Sequence, residues 1–214
     1  MTKYNGIKSD NDDRVVRGFE AINRYWDNEL ALNVAKILPG EYYVTIQNEG
    51  ISTVLGSCIS ACVRDRLFGV GGMNHFMLPL RGESGGGGAE PFGAAERYGN
   101  YAMEHLINDI LKNGGRRENL EIKVFGGGKI LAQMTDVGSR NIQFVKEYLH
   151  TEGLKVVAED VGDSYPRKVL YFPATGKVML KKLRSLHNNT IAARETTYMQ
   201  DLHKEPVTGE IDLF

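Results

Sequence analysis

The sequence is poor in cysteine, with only Cys58 and Cys62 in 214 residues. A disulfide scaffold is thereby excluded: on a strand the two would lie about 13 Å apart, beyond the reach of a disulfide. No further cluster of ligand-type residues completes a four-ligand metal site around them, so no metal is expected. Neither Gly85 to Gly88 nor Gly126-Gly127-Gly128-Lys129 has the spacing of a phosphate-binding loop, so no other cofactor is expected. Long apolar runs are missing too. Nothing approaches the roughly 18 consecutive apolar residues of a membrane span. The opening stretch MTKYNGIKSDNDDR lacks the apolar centre of a secretory signal. The expectation is a cytoplasmic protein without membrane insertion, its thiols reduced. Charge of one sign is also lacking. Lys plus Arg number 26 against 27 Asp plus Glu, a formal net charge of −1, so nucleic acid finds no electrostatic support as a partner.

What is present suffices for one sizeable core, since 42% of residues are hydrophobic and 25% charged. Residues 1–39 read as an N-terminal extension. Val15, Val16, Phe19, Ile22, Trp26 and Leu30 recur at helical spacing, which predicts an amphipathic helix ahead of Pro39 and Gly40. The segment 41–47 alternates like a strand. A helical stripe runs through Ala102, Met103, Leu106, Ile107, Ile110 and Leu111 and stops at Gly114-Gly115, and a second helix is predicted over 139–152. Strands are predicted at 121–125, 156–160, 168–172 and 177–183. Strands interspersed with a few helices imply an α/β layered fold. The glycine run Gly85 to Gly88 reads as either a lid or a surface insertion. Asp160 and Asp163 fit turn chemistry as well as a carboxylate pair. Arg167, Lys168, Lys177, Lys181, Lys182 and Arg184 read as a solvated basic face. Residues 185–214 lose the strand pattern and read as a flexible tail or a docking peptide.

The chemistry concentrates in residues 51–79, ISTVLGSCISACVRDRLFGVGGMNHFMLP, which read as two extended segments joined near Asp65 to Phe68. A connection centred between Arg66 and Leu67 sets Arg64 opposite Gly69, Val63 opposite Val70, and Cys58 opposite His75. Opposed residues of an antiparallel pair have Cβ atoms about 4.5 to 5.5 Å apart on one face, close enough for a thiol to hand its proton to an imidazole. A cysteine is nucleophilic as thiolate, and the neighbouring imidazole can later protonate a leaving amine. Gly56 allows close backbone approach, so the amides of Ser57 and Cys58 are candidate oxyanion donors. Ser52 or Thr53, facing opposite ways on the preceding strand, could orient the ring, and only one of them can. Inert buried cysteine and a redox-sensing thiol are the competing readings of Cys58.

The runs TVLGSCISACVRD, GGMNHFMLP, VFGGGKIL, DVGSRN and TGKVMLKKL, in that order from about Gly40 to about Leu183, resemble the CheD family of chemoreceptor glutamine deamidases. The resemblance implies a deamidase domain over 40–184. It implies a mixed β-sandwich flanked by helices, similar to other cysteine deamidases such as the cytotoxic necrotising toxins. It further implies a cysteine hydrolase acting on glutamines, and also on methyl esters, of methyl-accepting chemotaxis receptors, located at cytoplasmic receptor arrays. Cys58 falls on the family nucleophile, His75 on its histidine, and Ser52, six residues before the cysteine, on its hydroxyl residue, with Thr53 adjacent. The position of Gly127 in the family's glycine turn implies that it approaches the substrate. Some members bind a CheC-type phosphatase, which leaves a non-catalytic binding regulator as the alternative function.

Overall fold

The computed structural model describes residues 15–79, 94–130, 137–183 and 188–204, and within them two five-stranded mixed sheets share one core. The first sheet contains β1 (Asn23–Asp27), β2 (Leu32–Lys36), β4 (Gly50–Leu55), β9 (Arg167–Phe172) and β10 (Lys177–Lys182), in the order β1-β2-β4-β9-β10. The second contains β3 (Tyr42–Thr45), β5 (Ile59–Asp65), β6 (Gly71–Asn74), β7 (Leu120–Gly126) and β8 (Val156–Val161), in the order β3-β6-β5-β7-β8. Pairs β2-β4 and β7-β8 are parallel and the remaining pairs antiparallel. This is the α/β architecture expected. Two long helices, α1 (Ala94–Lys112) and α2 (Val137–Thr151), pack on the second sheet. They match the predicted helical stripes, and each is closed by a glycine of left-handed backbone, Gly114 and Gly153.

Strand β5 lies at the centre of this arrangement, and every residue from Ile59 to Val63 is buried. A strand covered on both faces loses the alternation of a half-exposed one. Each large apolar side chain buried there stabilises the fold by roughly 1.5–3 kcal/mol. The neighbour β6 pairs with it as Cys62↔Met73, Val63↔Gly72 and Arg64↔Gly71, with a further bridge at Ile59↔Phe76. The register is therefore two residues away from the expected one. The cause is the connection, which Asp65 holds open: its Oδ1 accepts from the amides of Leu67 and Phe68, its Oδ2 from Arg116, while Gly69 N–H returns to the Asp65 carbonyl. An even shift preserves the face of every side chain. Cys58 and His75 thus remain on a common side as diagonal rather than direct neighbours.

Two expectations at the chain ends are corrected. The amphipathic helix of the N-terminal extension is absent among the described residues; β1 and β2 form an antiparallel hairpin in its place. Its turn is held by Asp27 Oδ1, which accepts from Glu29 and Leu30, and Ala31 adopts φ 52°. The helical spacing is coincidental: Phe19 is buried edge-on against Tyr42 and Tyr43, whereas Trp26 is half exposed. Residues 188–204 of the expected flexible tail are instead helical, as α3 (Asn188–Lys204), which docks on the domain. The Gly85–Gly88 run lies outside the described residues. No helix among the described residues is long and apolar enough to cross a membrane.

Candidate active site

The loop Gly56-Ser57-Cys58 leaves β4 of one sheet and enters β5 of the other, so the nucleophile candidate sits at the crossover between sheets. All three carbonyls of this loop are tied down from one side. Gly128 N–H donates to the Gly56 carbonyl at 2.7 Å, Asn141 Nδ2 to that of Ser57 at 2.8 Å, and Gly127 N–H to that of Cys58 at 2.7 Å. With the carbonyls held from one side, the three amides converge on a single anion, the carboxylate of Glu195 on α3. Gly56 N–H and Cys58 N–H donate to Oε1 at 2.8 and 3.2 Å; Ser57 N–H and the Ser57 hydroxyl donate to Oε2 at 2.8 and 2.6 Å. Successive amides aimed at one point form an anion-binding concavity, the arrangement that an oxyanion requires.

His75 follows β6, its backbone fixed by N–H donation to the Glu41 carbonyl and by acceptance from Gly40 N–H. Its Nδ1 lies 2.7 Å from Thr53 Oγ1, which itself lies 2.9 Å from the Ile37 carbonyl oxygen. A carbonyl can only accept, so the single hydroxyl proton of Thr53 is donated to Ile37, and Oγ1 then accepts Nδ1–H of the imidazole. This fixes the tautomer. Nε2, which is buried without a hydrogen-bond partner among the described residues, keeps its lone pair. The Cys58 sulfur, a ring nitrogen of His75 and a carboxylate oxygen of Glu195 lie within 4.8 Å of one another. Ser52, one residue earlier on β4 and pairing with Leu170, occupies the opposite face of the strand; Thr53 is the hydroxyl that meets the ring.

Burial dominates the electrostatics of the site. Burial pushes the Cys58 thiol well above its ordinary range, and the negative Glu195 beside it adds to the effect. Burial likewise lowers His75 to about 3, with a contribution from the Arg194 guanidinium on α3. Thiol and imidazole are both neutral in this closed arrangement. Cys58, His75 and Glu195 could in principle share a metal. The carboxylate already accepts four hydrogen bonds from the loop, however, which is the donor set of an anion pocket rather than of a ligand sphere.

Among the expected site residues, Cys58, His75, Thr53, Gly56 and Ser57 come together here. Gly127 is adjacent, but its amide is engaged by the Cys58 carbonyl, so it supports the Gly56-Ser57-Cys58 loop from behind and has no amide donor left to present on the side of Glu195. Arg167 departs from the solvated face expected of it. It is fully buried, donating to Asp160 Oδ1 and to the carbonyls of Gly126 and Gly162, and so clamps the glycine turn that supports the loop. Lys168, Lys177 and Lys181 do lie in solvent. Asp160 is explained by this clamp and by Lys182. Asn141 and Glu195 are the site residues that sequence reasoning misses. A fully buried asparagine on the apolar face of α2 is the available signal for the first, and no local pattern marks the second.

The CheD family model, described as CheD chemotactic sensory transduction, matches residues 77–182. The chain is 56% identical over 196 residues to the probable chemoreceptor glutamine deamidase CheD of Hahella chejuensis, covering 92% of each chain. It is equally identical over 198 residues to the protein of that name from Halorhodospira halophila, again covering 92% of each. With that from Janthinobacterium sp. (strain Marseille) it shares 56% identity over 196 residues, 91% of this chain and 95% of the other. Matches of this length extend well beyond the stretch from Gly40 to Leu183 that carries the resemblance in the sequence. The chain belongs to the CheD family.

Proposed function

We propose that this chain is a protein-glutamine deamidase acting on methyl-accepting chemotaxis receptors at cytoplasmic arrays, with Cys58 as nucleophile, His75 as acid and base, and Thr53 as the residue that orients the imidazole. One observation carries the reading. The pocket formed by the Gly56, Ser57 and Cys58 amides holds the side chain of a glutamate, the product of glutamine deamidation, within 4.8 Å of the thiol and the imidazole.

The chemistry follows from the groups present. Nε2 of His75 takes the Cys58 proton, and the sulfur attacks the carboxamide carbon. The C=O electron pair moves to oxygen, which the loop amides stabilise. Collapse of the tetrahedral species breaks the C–N bond, and ammonia departs with the proton from His75. Water then gives a proton to His75 and attacks the thioester; the thiolate leaves and recovers a proton. The new carboxylate adds a negative charge to the receptor helix. A methyl ester reacts by the same sequence, with methanol as leaving group.

Intact-mass analysis of a receptor cytoplasmic fragment incubated with wild type, Cys58→Ala or His75→Ala tests this. Conversion of particular glutamines by wild type alone is expected. Unconverted receptor alongside measurable binding, to the fragment or to a CheC-type phosphatase, would instead favour a binding regulator.

A further inference from the structure

We infer that α3 is a built-in product mimic: Glu195 fills the pocket in which a substrate glutamine reacts, and a substrate helix must displace α3 to reach Cys58. This rests on the deamidase reading above and adds to it the regulation of the same site.

Glu195 is 2% exposed, and its carboxylate takes every inward-facing donor of the nucleophile loop. It arrives from a helix. Met199, one turn after it, is 1% exposed and belongs to the core, so Glu195 and Met199 form the docked stripe. Arg194, Thr197, Gln200 and Asp201 face solvent. The stripe is secured farther along by the hydroxyl contact between Tyr198 and Tyr98 of α1, and by packing of Tyr198 against Gly40. An anchor made by Met199, Tyr198 and one carboxylate is specific without being extensive. A competing helix that presents one reactive side chain can therefore replace it.

The donor pattern matches a product rather than a substrate. Oε1 receives the Gly56 and Cys58 amides, as an oxyanion would. Oε2 receives the Ser57 amide and hydroxyl, a position where a carboxamide NH2 would face an N–H donor. A carboxylate fits both positions and an amide only one. Glu195 also acts on the nucleophile directly, since its charge and the burial that α3 completes hold Cys58 as the thiol. The closed chain therefore lowers its apparent activity by the fraction of molecules in which α3 is docked.

The experiment uses three full-length variants, Glu195→Ala, Glu195→Gln, and Glu195→Gln combined with Cys58→Ala, each assayed on a receptor fragment and by peptide mass analysis of position 195. Glu195→Ala should deamidate the fragment roughly tenfold faster than wild type at low fragment concentration. In the Glu195→Gln chain, the introduced glutamine should convert to glutamate with first-order kinetics independent of protein concentration. In the double variant it should remain glutamine. If wild type and Glu195→Gln deamidate the fragment while the introduced glutamine persists and Glu195→Ala is no faster, the inference is overturned and the deamidase reading stands. A slower Glu195→Ala would overturn it in favour of a direct role for Glu195 in turnover. Failure of every folded variant to convert either the fragment or the introduced glutamine would overturn both.

Discussion

The Thr53 hydroxyl lies 2.7 Å from Nδ1 of His75 and commits its own proton to the Ile37 carbonyl 2.9 Å away, so the imidazole is held with its base nitrogen, Nε2, unprotonated. A strand residue, a strand-end carbonyl and a ring together define the protonation state that the chemistry needs.

Thr53→Val keeps the shape and removes both bonds, leaving Nδ1–H and the Ile37 carbonyl buried without partners. The loss is about 1–3 kcal/mol. Stability should fall by that amount, with kcat reduced by roughly tenfold or more. Thr53→Ser should restore most of the activity. Ser52→Ala, on the other face of β4, should leave kcat close to wild type. Steady-state kinetics on a receptor fragment separate the three.

The support behind the nucleophile loop is equally specific. Asn141 donates to the Ser57 carbonyl and accepts from Leu78 N–H. Asn141→Ala removes two buried hydrogen bonds at once, so denaturant unfolding should show a loss of about 2–4 kcal/mol. The midpoint should move with the m-value unchanged.

Gly126 adopts φ 114°, and a Cβ there would stand 2.1 Å from the Cys58 carbonyl oxygen. Backbone, not a pliable side chain, is what such an atom meets. Gly126→Ala should therefore destabilise the fold by about 2 kcal/mol or more and displace the Cys58 loop. Thermal unfolding measures the first effect, and alkylation of Cys58 by iodoacetamide reports the second.

The depressed titration of His75 also predicts an acid limb of stability. The unfolded histidine protonates near its ordinary 6.5, whereas the folded one resists until about 3. Between those values the unfolded state binds more protons, so the contribution of His75 is fully present above about pH 6.5 and declines as pH falls toward 3. Melting temperature followed from pH 7 to 4 should drop more steeply for wild type than for His75→Gln. Parallel slopes would contradict the assignment.

Much of this site is legible in the sequence because strand parity is robust. Cys58 and His75 share a side in the predicted pairing and in the observed one, although Asp65 lengthens the connection and moves the register by two residues. The helices α1 and α2 and strands β7 to β10 follow from long apolar stripes and turn residues. The hairpin β1-β2 does not, since the helical spacing from Val15 to Leu30 runs mostly through residues outside its two five-residue strands, with Trp26 alone on one of them. Helix α3 is hidden for another reason. Its decisive contact is a carboxylate bound by amides, one of them 137 positions away in sequence, an interaction that leaves no periodic trace. Arg167 and Asn141 are similar cases, where a buried polar group is explained only by the distant backbone that it satisfies.

The central claim, that Cys58 forms an acyl-enzyme with a receptor glutamine, is tested most directly by adding hydroxylamine during turnover of a receptor fragment. A thioester at Cys58 partitions between water and hydroxylamine, so wild type should yield both glutamate and γ-glutamyl hydroxamate at the same position, and Cys58→Ala should yield neither. Glutamate formed at an undiminished rate by Cys58→Ala, or by wild type without hydroxamate at any hydroxylamine concentration, would contradict it.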